Sequence, residues 1–176
     1  VVAPTQEIYD ELRKTRDAGK TIIATMGSVA ASGGYYIACA ADSILANPGT
    51  LTGSIGVIFE LPNAKGLFDK IGIDWQVIKS GDHKDIGSPA RQLTREERGY
   101  MQAVVDDTYN QFVDVVTWNR PLTRDDVLEV ADGQVFTGNQ AISLGLIDRL
   151  GTYQDAVALA SRLAGITGKP ELVKPK

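Results

Sequence analysis

The order of apolar and polar positions along the chain predicts short strands that alternate with helices. Five short apolar runs have the length and composition of strands, at residues 21–26, 43–46, 54–59, 74–79 and 135–136. Between them, apolar residues recur at three- and four-residue spacing, which is typical of helices. This alternation predicts an α/β fold with a largely parallel sheet.

The longest helical pattern begins after Thr94, which is predicted to form a capping box with Glu97, and continues to Asn119. At about 1.5 Å per residue this helix is long for so small a domain, so part of it is expected to pack on a neighbouring subunit. Further helices are predicted from Pro4 to about Gly19 with Ile8 and Leu12 on one face, at 32–41, at 64–71, after a capping box of Thr123 and Asp126, and at 153–164, with a turn at 141–144.

Composition and charge exclude several classes of function. The 176 residues carry a formal net charge of −4, which argues against a surface that binds nucleic acid or anionic lipid. No apolar run approaches the roughly 20 residues that span a bilayer. Because Cys39 and His83 are the only cysteine and histidine, an intrachain disulfide and a multi-histidine zinc site are excluded. We therefore expect no metal and no cofactor.

Ser32 stands where a predicted strand and turn lead into a small-residue helix, and two glycines follow it. At a helix N-terminus, unpaired N–H groups and the helix dipole favour a developing negative charge. A glycine after the serine lets its N–H approach a substrate carbonyl oxygen. The same position is also a common one for a serine that caps a helix. The local sequence leaves a nucleophile and an N-cap open for Ser32, whereas Ser28 fits the cap better.

A serine nucleophile needs a base, and residues 80–89 form a polar loop that contains both His83 and Lys84. A desolvated lysine can accept the proton, because burial disfavours its charged form. Either residue can equally be a solvated loop side chain. Physical reasoning from the sequence does not choose between the two.

Five blocks of the sequence together resemble the signal peptide peptidase A (protease IV) family of serine peptidases. The resemblance covers nearly the whole chain in the expected order, so it is more specific than any single motif. The blocks are residues 32–36 (SGGYY), 49–57 (GTLTGSIGV), 79–81 with 84–85 and 88–89 (KSG, KD and SP), 132–138 (DGQVFTG) and 144–148 (LGLID).

This resemblance implies a Clp-protease/crotonase-like fold with repeated β-β-α units and a Ser–Lys dyad. It implies that Ser32 is the nucleophile, that Lys84 is its general base, and that Ser54 orients the lysine. On this mechanism Gly33 supplies an oxyanion N–H, and a strand through Ile55, Gly56 and Val57 pairs with the substrate backbone.

The resemblance also implies what lies around the catalytic centre. The family has a Gly-Gly turn with a second oxyanion donor just before the helix that here begins at Pro4, and Val1 stands just past that turn. We therefore expect residues 1–176 to be a single peptidase catalytic domain without its N-terminal strands and membrane anchor. The expected setting is a bacterial membrane, with the catalytic domain on its extracytoplasmic side.

The function implied is a serine endopeptidase that degrades cleaved signal peptides or other extended apolar peptides. Its partners are expected to be those peptides and further copies of the chain in a ring or dome, which would enclose the active sites. Two alternatives remain open from the sequence. One is an acyl-CoA enzyme of the crotonase type, which shares the fold but has no use for a Ser–Lys pair. The other is a non-catalytic assembly subunit.

Overall fold

The protein is described by a computed structural model over residues 2–173. The elements in chain order are α1 (Val2–Asp17), β1 (Ile23–Met26), β2 (Val29–Ala31), α2 (Gly33–Ala38), β3 (Ser43–Ala46), β4 (Leu51–Gly53), α3 (Lys65–Ile71), α4 (Arg95–Asn119), α5 (Arg124–Val130), β5 (Val135–Thr137), α6 (Gly138–Ser143), β6 (Arg149–Leu150) and α7 (Tyr153–Leu163).

The strands form two three-stranded sheets, in the orders β1-β3-β6 and β2-β4-β5. The pairs β1–β3, β2–β4 and β3–β6 are parallel, and only β4–β5 is antiparallel. In sequence, β1-β2-α2 is followed by β3-β4-α3, so the β-β-α order occurs twice. The predicted α/β class with largely parallel pairing is confirmed.

The chain divides into two compact units. The first, here called the sheet unit, comprises the described residues up to 56 and from 110 onwards and contains both sheets. Its core is apolar, because β3 and α2 bury whole side chains and the C-terminal part of α4 adds branched ones. Side chains with no exposed surface include Tyr35, Ile44, Val113 and Val116.

Aromatic and polar contacts fix helix α2 within the sheet unit. The Tyr36 ring lies 5.2 Å from that of Tyr9 in α1 and 5.1 Å from that of Phe112 in α4. The buried Tyr35 hydroxyl donates a 2.7 Å hydrogen bond to the Leu146 carbonyl. Such edge-on aromatic pairs and satisfied buried hydroxyls define the position of a short helix that has little bulk of its own.

The second unit, residues 57–109, is here called the loop unit. It contains α3 and the N-terminal part of α4, and no strand. Among residues 57–109, which are all described, Glu97 is the only buried residue and no apolar side chain is buried. Ionic contacts around Glu97, given below, hold this unit together where the sheet unit has an apolar core.

Two predicted strands are absent from the structure. Residues 54–59 and 74–79 have no strand partner among residues 2–173. The second segment is exposed throughout, and the Ile78 side chain is fully accessible. Strand-forming composition measures the fit to a pleated, half-buried surface, and residues 74–79 have no such surface within the described part of the chain.

Other differences from the prediction are local. The structure adds the short strands β2, β4 and β6, and it replaces the predicted turn at 141–144 with α6. In α1 the buried side chain is Tyr9, whereas Ile8 is 49% exposed. A three-residue strand carries too few positions to show a period, which explains why β2 is not apparent from the sequence.

Candidate active site

Ser32 lies between β2 and α2 in a strained conformation. Its φ of 52° and ψ of −120° lie outside the regions that a residue with a Cβ prefers. Its N–H donates a 2.8 Å hydrogen bond to the Gly53 carbonyl, and its own carbonyl accepts from the N–H of Tyr36 at 2.9 Å. These contacts hold the backbone in a sharp strand-to-helix elbow, as nucleophile positions of hydrolases do.

The Ser32 side chain does not cap the helix that it precedes. Ser32 occupies the N-cap position of α2, yet its hydroxyl makes no capping hydrogen bond, and the residue is exposed. Ser28, which seemed the better cap from the sequence, lies in the bend between β1 and β2. The cap interpretation is therefore wrong for both serines, and the Ser32 hydroxyl is available for chemistry.

Gly33 is the first residue of α2, so its N–H is one of the groups that helix geometry leaves without an intrahelical partner. A Cβ at this position would lie 3.0 Å from the Thr5 hydroxyl oxygen in α1. That spacing is tighter than almost all real Cβ contacts, so α1 packs closely here because residue 33 is glycine. Gly33 can serve as the predicted oxyanion donor, and this role stays a prediction.

Ser54 lies beside Ser32 at the same edge of the sheet. Ala31 and Gly53 are register partners in the parallel pair β2–β4, and the two serines directly follow them. Within residues 2–173, Ser32 and Ser54 are the only residues other than glycine with positive φ, the latter at 50°. The Ser54 N–H donates to the Gln134 carbonyl at 2.7 Å. Two strained serines thus end two neighbouring parallel strands.

Gly53 explains why the chain can turn between these serines. Its φ is 76°, and a Cβ would lie 2.6 Å from Cδ2 of the Phe136 ring and 3.0 Å from the Gln134 carbonyl oxygen. Any other residue would both strain the backbone and displace the buried Phe136 ring. Sequence reasoning gave no role to Gly53, although it was visible in the GTLTGSIGV block.

The segment Ile55–Val57 was predicted to pair with substrate as a strand. Ile55 is fully buried, and its carbonyl accepts a hydrogen bond from the Gly133 N–H at 3.1 Å. Gly56 also approaches Gly133, since a Cβ there would lie 3.3 Å from the Gly133 Cα. The side chain of Ile55 therefore belongs to the core. Substrate contacts of Gly56 and Val57 stay a prediction.

Lys84 and His83 lie in the loop unit, on a series of tight turns. The Lys84 N–H donates to the Gly81 carbonyl at 3.2 Å, and the Ile86 N–H donates to the His83 carbonyl at 3.2 Å. Both side chains are exposed, and the His83 ring lies 5.0 Å from the Tyr100 ring, edge-on. Since Ser32 belongs to the sheet unit and Lys84 to the loop unit, the dyad stays a prediction.

An ionic cluster, here called the Arg91 cluster, surrounds the turn that carries Lys84. Arg91 donates from Nε and Nη2 to the Asp85 carboxylate, both at 2.8 Å, and from Nη1 and Nη2 to Glu97, at 2.8 and 2.5 Å. Lys79 reaches Asp85 as well, at 2.8 Å. Hydrogen bonds from Arg91 and Lys79 hold the pKa of Asp85 well below its usual range. Those from Arg91 and Thr94 lower the pKa of Glu97 to about 2.

The sequence indicated only part of this cluster. Glu97 was predicted as the capping-box partner of Thr94, and that box is present: Thr94 N–H donates to Glu97 at 2.8 Å and Glu97 N–H to the Thr94 hydroxyl at 3.1 Å. Asp85 fell inside a family block. Arg91 was missed. It lies six residues from each carboxylate, which is not a helical spacing, so no sequence pattern links the three residues and only the fold shows that they meet.

An exposed serine in a strained elbow at a helix N-terminus is the geometry of a hydrolase nucleophile, and comparison with known proteins gives the family. The model of peptidase family S49 matches residues 14–167. The chain belongs to peptidase family S49. The resemblance drawn from the five sequence blocks is confirmed.

Curated relatives agree with this assignment. A "putative protease" of Synechocystis sp. is 48% identical, covering 94% of this chain and 59% of its own length. The "Serine protease SPPA, chloroplastic" of Arabidopsis thaliana is 40% identical over 84% of this chain and 22% of its own. "Protease 4" of Salmonella typhi is 37% identical over 93% and 26%. The chain spans 59%, 50% and 44% of the length of the relatives from Synechocystis sp., Methanocaldococcus jannaschii and Enterococcus faecium.

Solved structures give a looser match. An enoyl-CoA hydratase/carnithine racemase from Magnetospirillum magneticum aligns with 89% of this chain and 42% of its own, with a TM-score of 0.48 and 14% identity. A likeness at this level says nothing about acyl-CoA chemistry in this chain.

None of the helices described in residues 2–173 is both long and apolar enough to cross a membrane.

Proposed function

We propose that this chain carries the catalytic centre of a serine endopeptidase in which Ser32 is the nucleophile and Lys84 the general base. The observation that supports it most directly is the Ser32 elbow: an exposed hydroxyl, held at positive φ and not used as a cap, at the start of α2 in a chain of family S49. Backbone strain at an exposed polar side chain is costly and is typical of functional positions.

The mechanism that follows is acyl transfer. The neutral Lys84 amine takes the proton from the Ser32 Oγ as that oxygen attacks the peptide carbonyl carbon. The Gly33 N–H stabilises the oxyanion of the tetrahedral intermediate. The lysine ammonium then gives its proton to the leaving amine as the C–N bond breaks. Water, deprotonated by the same amine, attacks the ester and releases the acid and Ser32. The rate should therefore rise with pH as the base loses its proton.

The surface beside the elbow supports apolar, extended peptides as substrates. Val29 and Leu51 are register partners, and Val135 pairs with Gly53 two residues further along β4, so the three side chains share one face of the sheet. They are 65%, 42% and 52% exposed. A relative from Enterococcus faecium is named "Putative signal peptide peptidase SppA", and we propose cleaved signal peptides among the substrates of this chain.

The proposed working form is a homo-oligomer, a ring or dome in which the active sites lie at or near subunit boundaries. The loop unit supports an oligomer, because it buries no apolar side chain of its own. In this unit Trp75 is half-exposed and Ile78 is fully exposed. Light scattering on the intact protein at assay concentration tests it. A stable, fully active monomer would contradict it. Attachment to a membrane by a segment outside this chain stays a prediction.

The test of the nucleophile is covalent labelling by a fluorophosphonate probe, read by peptide mass spectrometry on the intact protein. We expect the label on Ser32 alone, and its loss in Ser32→Ala. Ser28→Ala is the matched control, because Ser28 is also exposed and lies four residues away. Labelling that survives in Ser32→Ala would contradict the proposal, and a folded protein with no label would favour the non-catalytic assembly subunit.

A further inference from the structure

The Arg91 cluster includes Asp85, which belongs to the turn that presents Lys84. Arg91 joins two carboxylates that come from different parts of the loop unit: Asp85 follows Lys84 in sequence, and Glu97 lies in the first turn of α4. The Glu97 side chain is 4% exposed and that of Asp85 is 11% exposed. A planar guanidinium that makes two hydrogen bonds to each of two carboxylates is a strong contact with a defined geometry.

Both neighbours of Lys84 are therefore attached to α4 while Lys84 itself is exposed. On one side the His83 ring packs edge-on against Tyr100, and on the other Asp85 is held to Glu97 through Arg91. The Ser88 N–H donates to the Asp85 carbonyl at 3.0 Å and continues the turn. A lysine side chain is flexible, so the backbone turn beneath it decides which volume the amine can reach.

The cluster also determines the local charge next to the amine. Asp85 is adjacent to Lys84 in sequence, and an unpaired carboxylate there would stabilise the ammonium form and so oppose its use as a base. In the structure, Arg91 and Lys79 both pair with Asp85. Arg91 and Lys79 carry two positive charges, and Asp85 and Glu97 carry two negative ones, so the cluster is balanced. The other charged or ionisable side chains that line the two cavities beside Arg91 are Asp82, His83, Glu96 and Arg98.

We propose that Arg91 is a positioning residue for the general base: by clamping Asp85 to Glu97 it holds the Lys84 turn and neutralises the carboxylate beside the amine. This inference rests on the proposed Ser32–Lys84 mechanism. It assigns to the cluster a role in catalysis besides its role in holding the loop unit. Arg91 is not a catalytic residue, because the role is exerted through Asp85 and the turn.

The two parts of the role predict different results for Arg91→Gln and Asp85→Asn. Both variants loosen the turn, so kcat should fall roughly tenfold to a hundredfold with KM little changed. Arg91→Gln also leaves the Asp85 charge less compensated, so the rising limb of the pH–rate profile should move up by roughly half to one pH unit. Asp85→Asn removes that charge, so the rising limb of the pH–rate profile of this variant should not move to higher pH. Arg91→Lys keeps a charge without the double fork and should be intermediate.

The experiment measures the pH dependence of two rates on the intact protein: fluorophosphonate labelling of Ser32 and hydrolysis of a fluorogenic apolar peptide. Arg95→Gln is the matched control, since Arg95 is an exposed arginine in the first turn of α4, near Glu97, and forms no ion pair within residues 2–173. We expect it to behave as the wild type. Circular dichroism at the assay temperature establishes that each variant is folded, and labelling rates are normalised to folded protein.

The outcomes separate this inference from the function on which it rests. If Lys84→Ala retains activity, the proposed dyad is wrong, whatever Arg91→Gln does. If Lys84→Ala is inactive and folded Arg91→Gln keeps the wild-type kcat and pH profile, the positioning role is overturned. It is also overturned if the limb of Arg91→Gln does not move while activity falls only in proportion to folded protein, because that is the behaviour of a purely structural contact.

Discussion

The sheet unit and the loop unit are built on different physical principles, although each carries one of the two proposed catalytic side chains. The sheet unit has paired strands and an apolar core, with Tyr35, Ile44 and Val113 without exposed surface. The loop unit, residues 57–109, has no strand, and its one buried residue is the charged Glu97. Apolar burial dominates folding free energy, so the sheet unit contributes most of the stability of this chain.

The difference corresponds to what each residue must do. A nucleophile at positive φ requires surroundings that overcome the strain, and the packed β2, β4 and α2 supply them at Ser32. A general base requires a presented amine, and a loop held by ion pairs can supply one without a core. The loop unit depends on ion pairs, whose net contribution to the free energy of unfolding is smaller than that of an apolar core, so it should be the more labile of the two.

Helix α4 shows the contrast within one element. Its C-terminal part buries Phe112, Val113, Val115 and Val116, whereas in its N-terminal part Tyr100 and Val104 are about half exposed. The helical period continues through both parts, so the pattern is the same while the burial is not. The predicted packing of this helix on a neighbouring subunit falls on the N-terminal part, and it stays a prediction.

The largest expected effect separates the base from its neighbour. Lys84→Ala should reduce peptidase activity by roughly a thousandfold or more, because removing a general base that acts with the nucleophile disables both. His83→Ala should keep most of the activity, because that ring packs on Tyr100. Steady-state hydrolysis of an apolar peptide measures both. If the histidine variant is the inactive one, the Ser–Lys assignment is wrong.

The next effect compares the two parts of α4 by the same substitution. Val113→Ala in the sheet unit should lower the free energy of unfolding by about 2 kcal/mol, since Val113 is fully buried. Val104→Ala, at a position 54% exposed, should change it by less than about 0.5 kcal/mol. Urea denaturation measures both. An equal loss in Val104→Ala would mean that a partner covers this part of the helix in solution.

A smaller effect is expected at acid pH in the loop unit. Its contacts lower the pKa of Glu97 to about 2 and that of Asp85 below its usual range. For acids with lowered folded-state pKa, the stabilisation is complete above the unfolded values and is lost as pH falls from about 5 towards 2. In the Trp118→Phe variant Trp75 is the only tryptophan, so its fluorescence should report the loss of structure in the loop unit. The change should begin at higher pH in Arg91→Gln, and an unchanged transition would contradict the role of the cluster.

The smallest effect concerns the single thiol. Burial raises the pKa of Cys39 to about 12, and the side chain is 1% exposed, so thiol reagents should not modify the native protein at pH 8. Ile78→Cys provides the opposite case, a fully exposed position in the loop unit. Mass spectrometry should show one maleimide adduct in that variant and none in the wild type. Rapid modification of native Cys39 would show that the sheet unit opens readily.

Much of the fold was predictable because the signals are local. The two capping pairs, at the start of α4 and of α5, follow from Thr94 and Thr123, and the bounds of α7 follow from the spacing of apolar residues. The structure has all three where expected, α7 to within one residue. Local hydrogen bonds and helical periodicity are properties of neighbouring residues. The strands predicted at 54–59 and 74–79 are absent, because a strand needs a partner that the sequence does not specify.

The sequence by itself determined the family and the position of Ser32 before a small-residue helix, since glycine spacing and motif order are carried by the residues themselves. Only the tertiary structure decided that Ser32 is strained and is not a cap, that Ser54 lies beside it, and that Arg91 joins Asp85 to Glu97. Each of these depends on contacts between segments distant in sequence or on backbone angles imposed by them. Such contacts form only when the chain packs, because their free energy comes from burial and from ion pairing that no local pattern contains.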